Sequence, residues 1–280
     1  MLSYRHGFHA GNHADIFKHL ILTLLVRSLL NKDKPFFYLD THSGAGCYSL
    51  ESAMARKNKE YESGISRLWG SQDAPELVKD FLQVVESFNP DQALRWYPGS
   101  PRIVRHYLRP MDRMFLCELH PNEVDHLKTE FARDRQVKVE QLDGYVGLKA
   151  QLPPAVRRGL VHIDPAFVLQ DERHRLLDGL KDGYRRWPTG IYAIWYPIQD
   201  RFVADDFLRR LKRSGIQKIL MTEFSILNPT DTLRLMGSGM VIINPPWQLE
   251  AQLHSVLPWL WGKLAVEGQG GYKVEWLVAE

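Results

Sequence analysis

Apolar residues recur at helical spacing near the start of the chain. Ile16, Phe17, Leu20, Ile21, Leu24, Leu25 and Leu29 form one broad face, and Asn12 or Asp15 stands where a side-chain oxygen caps a helix running to about Leu30. Beyond Pro35 the pattern changes to short apolar runs that suit buried strands: Phe36 to Leu39, Met114 to Cys117, Val137 to Gln141, Gly159 to Ile163, Ile191 to Tyr196, Lys218 to Thr222 and Gly239 to Ile243. Helical patterns lie between most of them, over Pro101 to Leu108, Pro121 to Phe131, Tyr145 to Ala150, Arg173 to Trp187 and Arg201 to Ser214. Strands alternating with helices predict a doubly wound, mostly parallel seven-stranded α/β sheet. The last two strands are close in sequence, which suits an antiparallel edge pair.

One interval breaks the rhythm. About 70 residues separate the turn at Gly44 and Gly46 from the second strand, where a crossover of ~12 or more suffices. With the return helix starting near Pro101, residues 47–96 read as a mainly helical insertion within a single domain spanning 1–280. Its faces carry Arg56, Lys57, Lys59, Glu60 and Arg67.

Composition narrows the class. The chain of 280 residues is 44% hydrophobic and 25% charged, with a net charge of +3, ordinary for a globular protein and compatible with a local nucleic-acid footprint. Cys47 and Cys117 make neither a disulfide framework nor a metal motif. The segment Met1 to Asp15 is polar and rich in histidine and glycine, unlike a secretory signal, and no apolar run approaches the ~20 residues of a membrane span. A cytoplasmic protein without membrane contact, working as a monomer, is expected.

Four strand ends carry the chemistry. Asp40-Thr41-His42-Ser43-Gly44-Ala45-Gly46 follows the first strand. Its glycines let the backbone approach a ligand, but it lacks the third glycine of a dinucleotide fingerprint, so S-adenosylmethionine is the better fit. Glu118 ends the second strand, placed to accept ribose hydroxyls, and Asp143-Gly144 follows the third, placed to hold an adenine amino group. Asp164-Pro165-Ala166-Phe167 ends the fourth strand. The Asp164 carboxylate and the Pro165 carbonyl can accept the two hydrogens of an exocyclic amine, exposing a nitrogen lone pair, while Phe167 stacks on the base. Asn244-Pro245-Pro246-Trp247 repeats the signature but follows the seventh strand, away from the cofactor strands.

These residues carry a family resemblance. Tyr4-Arg5-His6, Phe8 to Asp15, Lys18-His19, Leu39 to His42, Gly44-Ala45-Gly46, Tyr97 to Pro101, Glu118 to Pro121, Asp143-Gly144, Ile163-Asp164-Pro165, Trp195-Tyr196-Pro197, Gly239-Met240 and Ile243 to Trp247 resemble the ribosomal large-subunit RNA adenine-N6 methyltransferase J family over essentially the whole chain. The resemblance implies S-adenosylmethionine-dependent methylation of one adenine of 23S rRNA. It implies Asp164 as the catalytic acceptor, with Pro165 and Phe167 beside it. It implies His19, His42, Ser100, Glu118, Asp143 and Gly144 around the cofactor, with Lys18 close by, and Tyr4 meeting the RNA; Gly44 and Asp164 are expected among the cofactor contacts as well, and His6 beside Tyr4 at the RNA. The sequence departs from the family pattern at Ala166, where a second proline is usual. Two other readings stay open here: a DNA adenine-N6 methyltransferase, and a weakly active nucleic-acid-binding relative linked to the use of external DNA. The histidines at 6, 9, 13 and 19 lack the companions of a metal site, so no metal is expected.

Overall fold

A computed structural model of the chain describes residues 4–169, 171–228 and 235–279. Asn12 accepts the Asp15 backbone N–H and caps the long helix α1 (His13–Leu30). The chain then enters β1 (Phe37–Asp40), the middle of the sheet. The excursion that follows opens with β2 (Cys47–Ser49) and α2 (Ala53–Asn58), runs through two short 3-10 turns to α3 (Glu76–Ser87), and closes with β3 (Trp96–Pro98) and α4 (Ser100–Tyr107). β2 and β3 pair antiparallel, Cys47 opposite Pro98. The Gly99 N–H also reaches the Gly46 carbonyl at 2.9 Å. The excursion therefore returns to the point it left. Its buried Ile65, Leu68, Val78 and Phe81 share one apolar cluster with α1.

From α4 the chain alternates regularly: β4 (Arg113–Glu118), α5 (Pro121–Glu130), β5 (Val137–Gln141), α6 (Gly144–Gln151), β6 (Gly159–Ile163), α7 (Glu172–Arg186), β7 (Ile191–Ile198), α8 (Arg201–Lys212), β8 (Ile219–Ser225) and β9 (Gly237–Ile243). The chain ends in α9 (Leu249–Leu264) and β10 (Gly271–Val278). The sheet runs β10-β8-β9-β7-β6-β1-β4-β5, with β9 antiparallel to both its neighbours. It has eight strands rather than the seven expected. The antiparallel β8–β9 pair is not an edge, because β10 pairs with β8 and covers it.

Alternate side chains along each strand face opposite layers. Tyr38, Met114, Leu160 and Met240 meet α1, α4, α5 and α9 on one side, whereas Leu39, Phe115, Val161 and Val241 meet α6, α7 and α8 on the other. The chain steps outward from β1 to β4 and β5, then crosses back to β6. A crevice follows at the carboxyl ends of β1, β4 and β6, where such sheets bind ligands.

Candidate active site

Asp40, the last residue of β1, is fully buried. It accepts hydrogen bonds from Tyr38 Oη at 2.8 Å, Ser100 Oγ at 2.7 Å and the His42 N–H at 3.3 Å. Burial by itself raises a carboxyl pKa, but His162, Ser100 and Tyr38 outweigh it and hold Asp40 below its ordinary value. Asp40 is thus a fixed anion that aims the Ser100 hydroxyl at the start of α4.

The glycine turn follows. Gly44 has φ +60°, and a Cβ there would lie 2.1 Å from Tyr48 Oη, so both conformation and space demand glycine. The Gly44 N–H donates to Glu118 Oε2 at 2.7 Å, and the His120 N–H donates to Oε1 at 2.7 Å. Glu118 ties the ends of β1 and β4 together. Each of its oxygens retains a lone pair, enough to accept two vicinal hydroxyls.

Asp143 caps α6 by accepting the N–H groups of Tyr145 (2.9 Å) and Val146 (3.3 Å), and its other oxygen meets Arg175 at 2.5 Å. Burial opposes ionisation, yet Arg175 and the two amides keep Asp143 below its ordinary pKa. A Cβ at Gly144 would lie 2.2 Å from the Thr41 carbonyl, so glycine lets α6 abut the end of β1. His42 bonds Thr41 Oγ1 at 2.8 Å and its ring meets Tyr145 edge-on at 5.5 Å, while burial lowers its pKa. His19 is buried on α1 with Nδ1 at 2.8 Å from Tyr97 Oη, and burial pushes its pKa well down, so the ring is neutral.

The acid-proline turn begins where β6 ends. Lys18 Nζ lies 2.5 Å from Asp164 Oδ2 and 2.8 Å from Asp15 Oδ1, and 5.6 Å above the Trp195 ring. Burial would lower the Lys18 pKa, but the two carboxylates raise it, so the ammonium persists. Asp15 also accepts the Gly11 N–H at 2.8 Å and His6 Nε2 at 2.9 Å, and His6 Nδ1 meets Tyr4 Oη at 2.9 Å. A chain of polar contacts therefore runs from half-exposed Tyr4 through His6, Asp15 and Lys18 to Asp164. Pro165 is buried, Ala166 is exposed, and Phe167 takes φ +53°. The centre of the Phe167 ring lies 5.8 Å from that of Trp195 and 5.2 Å from the Arg173 guanidinium carbon.

The expected residues converge: Lys18, Asp164, Pro165 and Phe167 at one side, and His42, Gly44, Ser100, Glu118, Asp143 and Gly144 along the crevice. Asp15, Asp40, Arg175 and Trp195 support them and escaped the sequence reading as site residues. Asp40 and Trp195 lay within noted motifs, but their partners are distant in sequence. The second proline turn lies elsewhere. β9 runs against β7, so Asn244 sits at the amino edge of the sheet, where its Nδ2 donates to the carbonyls of Pro188 (2.8 Å) and Gly190 (2.7 Å).

The strand order, the glycine turn with its facing acid, and an acid-proline turn beside them define a Rossmann-like methyltransferase. Residues 33–278 match the family described as ribosomal RNA large subunit methyltransferase D, RlmJ, and the chain belongs to that family. It is 47% identical over 280 residues to the ribosomal RNA large subunit methyltransferase J of Escherichia coli K12, with all of both chains covered. It is 44% identical to the protein of that name from Haemophilus influenzae, again over both full lengths. A crystal structure of a Legionella pneumophila protein, 36% identical, superposes with a TM-score of 0.88 and covers 96% of this chain and 98% of that one. No helix among the described residues is long and apolar enough to cross a membrane.

Proposed function

We propose that the protein transfers a methyl group from S-adenosylmethionine to N6 of an adenine in 23S rRNA, as a cytoplasmic monomer whose residues 47–96 are an insertion in one methyltransferase domain. The observation that carries this reading is the Lys18 clamp on Asp164 at the end of β6, beside the crevice. The residues of the crevice fit the cofactor. Glu118 retains acceptor capacity for a ribose diol, the glycine turn opens the backbone, and Trp195 Nε1 is buried without a partner among the described residues. S-adenosylmethionine supplies an electrophilic methyl group when bound.

The rest is the work of the chain. Lys18 occupies Asp164 Oδ2, leaving Oδ1 to accept one N6 hydrogen. The Pro165 carbonyl accepts the other, which draws the amine out of conjugation. Phe167 forms a face for the adenine ring, fixed by its contact with Trp195. As N6 gains the methyl carbon the methyl–sulfur bond breaks with its electron pair left on sulfur, and N6 loses one proton to Asp164 or to water, restoring a neutral amine. A base buried in a duplex cannot reach these groups, so the adenine is flipped out or single-stranded.

Labelled methyl transfer tests the reading. Purified protein is given 23S rRNA lacking its modifications, assembled large subunits and duplex DNA in parallel, and the product nucleosides are resolved by mass spectrometry. N6-methyladenine in rRNA is expected. Label on cytosine, on a ring nitrogen, or on DNA alone overturns it.

A further inference from the structure

The catalytic turn continues into an exposed apolar surface. Beyond Phe167, Val168 and Leu169 are 56% and 44% exposed. Across β7, Asp200 caps α8 by accepting the Phe202 N–H at 2.8 Å, which fixes Phe202 in the first turn with 73% of its surface exposed. The Arg173 guanidinium lies 5.2 Å from the centre of the Phe167 ring and within the electrostatic reach of Asp200, the residue that caps α8. It makes no ion pair with a described residue. A lone exposed phenylalanine is ordinary. Here the ring shares the carboxyl edge of the sheet with the target-base site, and the Asp200 that caps its helix feels the charge of the guanidinium stacked on Phe167. That combination suits a nucleotide, whose base stacks on an aromatic face and whose phosphate takes a cation.

We propose that Phe202 and Arg173 form a second stacking platform, which holds the nucleotide flanking the flipped adenine in unpaired RNA. Phe202 carries the neighbouring base, Arg173 neutralises the phosphate between the two nucleotides, and Val168 and Leu169 line the step. The platform is continuous with the Phe167 face, so two adjacent bases leave their stack and regain it on protein. This inference rests on RNA being the substrate.

The test is steady-state methylation of unmodified 23S rRNA by wild type, Phe202→Ala, Phe202→Trp and Arg173→Gln, with S-adenosylmethionine affinity measured by calorimetry on each. A base stack of ~1–3 kcal/mol corresponds to a change of about 5-fold to 150-fold. Phe202→Ala should raise KM for RNA by at least about 5-fold, with kcat and cofactor affinity kept, and Phe202→Trp should restore it. Arg173→Gln should raise KM and flatten its salt dependence. An unchanged KM in Phe202→Ala overturns the platform. So does a loss of cofactor affinity, or an equal defect in the tryptophan variant, since either marks a structural role. A defect on assembled subunits but not on naked rRNA would assign the surface to a protein partner and also overturn it. If wild type methylates no RNA, the substrate reading itself has failed, which is a separate result.

Discussion

Lys18 on the first helix and Asp164 just beyond β6 meet at 2.5 Å, and the same ammonium is 2.8 Å from Asp15. One buried cation thus joins the carboxylate of the acid-proline turn to a carboxylate on its own helix. Lys18→Met should abolish turnover and leave Asp15, whose side chain is 1% exposed, with only His6 to balance its charge. Breaking a buried pair in this way costs about 3–5 kcal/mol. Urea denaturation reads the loss, and a variant as stable as wild type would show that Lys18 does not balance Asp15.

Glu118→Ala should weaken S-adenosylmethionine binding about tenfold or more, since a charged hydrogen bond contributes ~1.5–3 kcal/mol. The variant also frees the amides of Gly44 and His120. Glu118→Gln keeps an acceptor and should lose less. Calorimetry giving equal affinity in all three proteins would remove Glu118 from the cofactor site.

Asp164→Ala and Asn244→Ala separate the two proline turns. The first should end methyl transfer and keep cofactor affinity within roughly tenfold, about 1.4 kcal/mol. The second loses two hydrogen bonds at the opposite edge, so stability should fall by about 1–3 kcal/mol while turnover persists. Active Asp164→Ala protein would refute the assignment.

Ala166 is exposed, its φ is not positive, and its N–H has no recorded partner among the described residues. Proline at this position should narrow the unfolded ensemble and stiffen the turn, with an expected gain of about 0.4–1 kcal/mol. Ala166→Pro should therefore turn over up to a few-fold faster with unchanged product. A slower or poorly folded variant would mean that this turn has taken its own conformation.

Buried neutral His19 makes stability depend on pH. Its folded pKa lies below the unfolded value of about 6.5, so below that pH the unfolded chain binds a proton that the folded chain does not. Stability should be flat above pH 7 and fall by up to about 1.4 kcal/mol per pH unit beneath 6.5 on this account. His42, also lowered by burial, acts in the same direction. Chemical denaturation of wild type and His19→Gln across pH 5 to 8 checks this. A slope unaltered by the substitution would exclude His19 as its source.

The parallel part of the sheet was legible because its strands are continuous apolar runs separated by helical patterns. The last helix and strand were not read. Leu249, Leu253, Val256, Leu257, Leu260 and Leu264 carry the helical period of α9, but Pro258 interrupts the segment as a helix breaker would. β10 keeps polar and apolar residues in one strand because it covers an edge, so its signal is weak. At the site, strand-end residues were visible from their order alone. The Asp40–Ser100, Arg175–Asp143 and Lys18–Asp164 pairs were not, because each joins segments that only the tertiary fold brings together.

The ribbon of β2 and β3 and the Gly99–Gly46 hydrogen bond hold the two ends of the long excursion at fixed separation. The segment between them is also bound along its length, since Glu60 meets His9 and Asn12, the Ile65 N–H reaches the Gly11 carbonyl and Asp73 meets Lys263. Doubling the length of such a closed loop costs only about 0.6 kcal/mol in chain entropy. An insertion in an exposed turn of that segment would therefore leave the glycine turn and Ser100 in register, whereas a change at Ile65 or Phe81 would be felt in the packing of α1.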